Sequence, residues 1–171
     1  MPFLNQLTFP QLMWLVPILF AVHNLEEAPL MEKWAEKTPL PFHAQIKTAP
    51  FSIAVTFLTL LAFIVTRWGV NSPPQSLGVY LVVTLQAVIL LNAFLPHMAV
   101  TIRYRSYNPE LITAVFLNLP FSIYFFTRAL SDNFITTQGT LLSLIFAPVV
   151  MIIFIAISLK LGEVVVRLFR K

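Results

Sequence analysis

The chain has 171 residues, 58% apolar and only 11% charged, with eleven Lys and Arg against seven Asp and Glu and a mean hydropathy of +0.82. A soluble domain carries roughly 25% charged residues, so this composition excludes an ordinary water-facing surface. The basic side chains are scattered between apolar stretches, which excludes a nucleic-acid-binding face, and the absence of cysteine excludes disulfides, thiolate nucleophiles and cysteine metal sites.

Helices of about 20 residues cross a membrane, and the uncharged stretches predict five of them in one all-α, polytopic domain over residues 1–171. The first spans about 9–27. No Lys or Arg precedes it, so it lacks the positive region of a cleavable signal and is expected to remain in the mature protein. Residues 28–47 mix Leu30, Met31, Trp34 and Phe42 with Glu32, Lys33, Glu36 and Lys37, the composition of an interfacial segment with a short helix. The second span covers about 48–66. Asn71-Ser72-Pro73-Pro74 then turns the chain into a third span, about 77–98, and Asn108-Pro109 precedes a fourth, about 111–127. The fifth runs over about 139–166. Period-two alternation is absent, which argues against a membrane barrel. Trp14, Trp34 and Trp68 are expected as headgroup anchors, and Pro120 and Pro148 as kinks.

Five spans place Lys33, Lys37, Lys47, Arg103, Arg105, Lys160, Arg167, Arg170 and Lys171 on one side and leave Arg67 and Arg128 on the other. The positive-inside tendency then puts the N-terminus outside and the C-terminus in the cytoplasm of a bacterial inner membrane.

Ionisable groups at membrane depth are costly and default to functional candidates. His23, Glu26 and Glu27 end the first span, and spacings i, i+3 and i+4 share a helix face. Adjacent carboxylates at a helix C-terminus repel each other and oppose the dipole, so something must compensate them. His97 ends the third span at the same expected depth. Pro96 before it frees the carbonyl of Asn92, and His43 is placed to fold back from the interfacial segment. Imidazole with carboxylate suits Zn first, Fe or Mn as alternatives, and His23, His97 and one glutamate match the ligand count of a catalytic zinc site. Glu26 or Glu27 would then act as general base. Asn92, His43, Arg103 and Tyr104 are the expected substrate-side or supporting residues. Against this stands the plainer reading: glutamates paired with Lys33 or Arg103 at the boundary, and a histidine bonded to a neighbouring helix. The expected function is an intramembrane metal-dependent enzyme, a hydrolase of a hydrophobic or membrane-borne substrate. A proton- or metal-coupled transporter, assembled as a homo-oligomer, and a non-catalytic scaffold are the alternatives.

The stretch Val22-His23-Asn24-Leu25-Glu26-Glu27-Ala28 resembles the signature of the HXXEE family of small bacterial membrane proteins, complete at His23, Glu26 and Glu27. Overall size and the stretch from Asn92 through His97 to Tyr104 and Pro109 look similar as well. The resemblance implies that those three residues matter but names no reaction. CAAX-type intramembrane proteases also use a Glu-Glu pair with separate histidines. Their later arginine is Met31 here and their histidines follow the pair, so that likeness is one of chemistry alone.

Overall fold

A computed structural model describes residues 4–37, 46–105 and 111–169, apart from the side chains of Lys37, Pro96, His97, Val100 and Tyr104. Among the described residues the regular structure is helical throughout. In chain order the α-helices are α1 (Phe9–Met13), α2 (Leu15–Glu27), α3 (Met31–Lys37), α4 (Thr48–Val70), α5 (Leu77–Asn92), α6 (Val100–Tyr104), α7 (Leu111–Thr113), α8 (Leu119–Ser131) and α9 (Thr137–Phe169). Wider π-helical turns join α5 to α6 (Ala93–Ala99) and α7 to α8 (Ala114–Asn118).

Four helical stretches, Thr48–Val70, Leu77–Leu95, Leu111–Ser131 and Thr137–Phe169, are long and apolar enough to cross a bilayer, and the chain is a membrane protein. The N-terminal segment does not qualify as one helix, because it breaks at Trp14. Pro17 has no N–H to donate to the carbonyl of Met13, and its ring crowds that carbonyl, so the ladder is interrupted there. Thr8 starts α1 with a capping box closed by Gln11. Despite the break, residues 9–27 run the height of the bundle. At one end Tyr124 donates to Asn5 and Arg128 to the carbonyl of Leu7; at the other, His23 and Glu26 meet Thr113. The segment is therefore antiparallel to Leu111–Ser131, whose 21 residues rise about 30 Å.

α4, α5 and α9 pack mutually, and α1, α2 and α8 cover the other side of α4 and α5. The tightest seams are made by glycine. A Cβ on Gly162 of α9 would run into the Pro50 carbonyl of α4, and one on Gly69 into Val82 of α5. The main core gathers Phe9, Leu12, Met13, Val79, Val82 and Phe125 at the end where Leu4 and Leu7 pack. At the opposite end α3 buries Met31, Trp34 and Ala35 against Phe51 and Val55. Trp34 is thus a packing residue and not the expected headgroup anchor: the short α3 turns its apolar edge into the bundle, whereas Trp68 stays exposed. α9 extends for 33 residues, about 50 Å, through Pro148 without a break, which carries Lys160, Glu163 and Arg167 beyond a hydrocarbon core about 30 Å thick. Glu163 pairs there with Lys160 at 3.4 Å and Arg167 at 4.0 Å.

Candidate functional site

Three chain segments converge at the α3 end of the bundle: the C-terminus of α2, the start of Leu111–Ser131, and the π turn after α5. Proline accounts for both π turns. Pro96 cannot bond the carbonyl of Asn92, and Pro120 cannot bond that of Phe116. After Ala114 the ladder widens so that the Leu119 N–H bonds the Ala114 carbonyl five residues back. Such bulges re-aim side chains and are frequent at functional sites. Here the consequence is that Thr113 and Asn118 both face the interior, buried to 8% and 1% exposure.

His23 is fully buried and held at both ring nitrogens. Nδ1 lies 2.9 Å from Thr113 Oγ1 and Nε2 lies 3.3 Å from the amide nitrogen of Asn92. An amide nitrogen only donates, so Nε2 accepts, and the proton sits on Nδ1, which donates to the threonine. The imidazole is neutral in this arrangement. Its neighbour Asn24 donates to Thr59 Oγ1 at 2.8 Å and to the Val55 carbonyl at 3.4 Å, stapling α2 to α4 and so fixing the rotation of the helix that carries His23.

The two adjacent acids part company. Glu26 accepts the backbone N–H of Thr113 at 3.0 Å. Although it ends α2, where the dipole is unfavourable, it caps the start of Leu111–Ser131, where the dipole favours a negative charge. Glu32 does the same for α4, accepting from the Thr48 N–H at 2.8 Å, the Thr48 hydroxyl at 2.7 Å and Lys47 at 3.1 Å. These bonds, the Thr48 hydroxyl foremost, hold the Glu32 carboxyl down at about 2. Glu27 has no such employment. It is 8% exposed, lies one helical turn from His23 on the same face, and makes no hydrogen bond or ion pair with any described residue.

The structure therefore brings His23, Glu26, Glu27 and Asn92 together from the expected set. Asn92 acts through His23, and Glu26 through a helix end. Arg103 is exposed on α6. The side chains of His97 and Tyr104, and His43 entirely, lie outside the described residues. Among the described residues no group of three or more His, Asp or Glu side chains could hold a metal ion. Thr113 is the residue that sequence reasoning missed. A threonine two positions into an apolar stretch resembles any span boundary, and its role depends on a helix 90 residues away. Asn24, read only as a spacer in the motif, was legible as a polar residue among apolar neighbours but had no visible partner.

A family profile described as "Protein of unknown function with HXXEE motif" matches residues 14–125, the stretch that holds His23, Asn92 and Thr113. The chain is also 23% identical over 142 residues to the "Uncharacterized protein YrkK" of Bacillus subtilis (strain 168), covering 83% of this chain and 89% of that protein. No solved structure matches.

Proposed function

Since the chain belongs to the HXXEE-motif family, we propose that it is a membrane-embedded enzyme working by acid–base chemistry, a hydrolase of a hydrophobic or membrane-borne substrate, with Glu27 as the group that takes and returns the proton. The observation that carries this reading is the Glu27 side chain: only 8% exposed, without a hydrogen bond or ion pair to any described residue, and one turn from His23, while Glu26 and Glu32 are consumed in capping helices. A carboxylate withdrawn from water without partners is stable only when it binds a cation. A proton is the smallest such cation, and exchanging it is what a general base does. In hydrolysis the Glu27 carboxylate, formed when its resting proton is released, takes a proton from water as the water oxygen bonds to the acyl carbon. It returns that proton to the leaving group as the acyl bond breaks. His23, fixed by Thr113 and Asn92, presents a neutral imidazole at the edge of this step. The excess of Lys and Arg on the segments at the Glu27 end supports an orientation with that end in the cytoplasm of a bacterial inner membrane.

A metal-dependent version stays as the second reading, because an acid with no partner among the described residues, beside a histidine, also suits Zn, Fe or Mn. It requires Asn92 or Thr113 to release a ring nitrogen of His23. A hydrophobic carbodiimide, which reacts with protonated carboxyl groups inside membranes, tests the proton reading on the purified protein. Labelling is expected at Glu27 and is expected to vanish in Glu27→Gln, with no labelling at Glu26. No labelling at Glu27, together with a stoichiometric metal that His23→Ala and Glu27→Gln both lose, would replace the proton by the metal. Proton-coupled flux in vesicles that requires Glu27 would replace the enzyme by a transporter.

A further inference from the structure

Farther from the α3 end, six positions before Asn92 and five after Thr113, two polar side chains and a backbone carbonyl meet inside the bundle. Gln86 of α5, Asn118 at the end of the second π turn and Ser122 of α8 are each no more than 1% exposed. Gln86 Nε2 donates to Ser122 Oγ at 2.7 Å, and Ser122 Oγ donates to the Asn118 carbonyl at 2.6 Å. A hydroxyl has one proton. Ser122 has given its own to the Asn118 carbonyl, so it can only accept from Gln86, and this settles which way the Gln86 amide points. Among the described residues Gln86 Oε1 is then left as a buried acceptor without a donor, and Asn118 Nδ2 as a buried donor without an acceptor.

The two orphans are complementary, and both belong to residues bonded to Ser122. Each would cost about 1–3 kcal/mol if left unmet, and buried polar groups in such positions are met by ordered water. Val82, Val83, Ile89 and Phe125 on the same two helices are buried as well. A molecule that meets both orphans must be able both to donate and to accept, as water is.

We propose that Gln86, Asn118 and Ser122 form an internal water site, in which one resident water donates to Gln86 Oε1 and accepts from Asn118 Nδ2. The second π turn makes this site. Widening the helix ahead of Pro120 turns Asn118 inward on the same stretch of chain that presents Thr113 to His23. The water site stands on its own polar groups and does not depend on the role of Glu27.

A double-substitution cycle with Gln86→Leu and Asn118→Leu, read as thermal unfolding midpoints in detergent, tests it. Each single change is expected to lower the midpoint by stranding the water on one partner, and the double change is expected to lower it by clearly less than the sum. A rise in the midpoint for Asn118→Leu alone, or strict additivity, would overturn the shared water. An experimental map of the native protein that resolves ordered water gives the independent readout. Density within hydrogen-bond distance of both Gln86 Oε1 and Asn118 Nδ2 is expected, and a direct bond between the two amides would refute it. Carbodiimide labelling of Glu27 is unaffected by either result, so failure of the water site and failure of the acid–base reading remain distinguishable.

Discussion

Replacing Thr113 by valine removes one oxygen and keeps the shape. In the native protein that oxygen accepts the Nδ1–H of His23 at 2.9 Å, between two side chains at 8% and 1% exposure. The substitution strands a buried donor, a loss of about 1–3 kcal/mol. For a chain of this size about 2–4 °C of midpoint corresponds to each kcal/mol, so the unfolding transition is expected to fall by roughly 2–12 °C. The local effect is sharper. With its threonine gone, the imidazole loses its bond to Oγ1 at Nδ1 and is released to exchange tautomers or to turn away from Asn92. Nitrogen NMR of histidine-labelled protein in detergent reads this directly, because neutral Nδ1–H and Nε2–H imidazoles have distinct shifts. Thr113→Ser, which keeps the oxygen, is expected to restore both the native tautomer and most of the midpoint. Thr113→Val with an unchanged midpoint and an unchanged His23 spectrum would refute the argument that this hydroxyl sets the histidine.

Glu32→Gln tests the second helix cap. The folded carboxyl lies at about 2 against an ordinary 4.5, so its stabilisation is fully present above 4.5 and is lost as the pH falls towards 2. The native midpoint should therefore decline across that window more steeply than that of Glu32→Gln, as a pair of thermal titrations would show. Gly162→Ala drives a methyl group into the Pro50 carbonyl and should cost about 1–3 kcal/mol by prising α9 from α4, measured by denaturation in detergent. Asn24→Leu removes the staple to Thr59 and Val55. Interhelical bonds in membranes average about 0.6 kcal/mol and reach about 1.7, so a small loss is expected, accompanied by weaker protection of the His23 N–H from hydrogen exchange.

Two glutamates side by side at a helix end look like a pair, and the sequence offers every reason to treat them so. Tertiary structure separates them. Glu26 reaches a helix start that is 87 positions away, and only Glu27 is left inside without a described bond. The conflict with the α2 dipole was legible as a problem, but its solution was not, because the compensating N–H belongs to another helix. The same holds for the prolines. That Pro96 and Pro120 disturb their helices follows from the missing N–H. Whether the disturbance becomes a bend or a π turn depends on what the neighbouring helices accept.

What the sequence determined by itself was the solvent and the secondary structure. A chain with this little charge enters lipid, and a backbone in lipid must satisfy its own hydrogen bonds, so it is helical. The HXXEE motif also marked where to look, since charge at membrane depth is expensive wherever it occurs. Which of those charges is already satisfied was decided only by folding, because a hydrogen bond needs two groups within about 3 Å, and in this bundle the second group comes from 31 to 90 positions away.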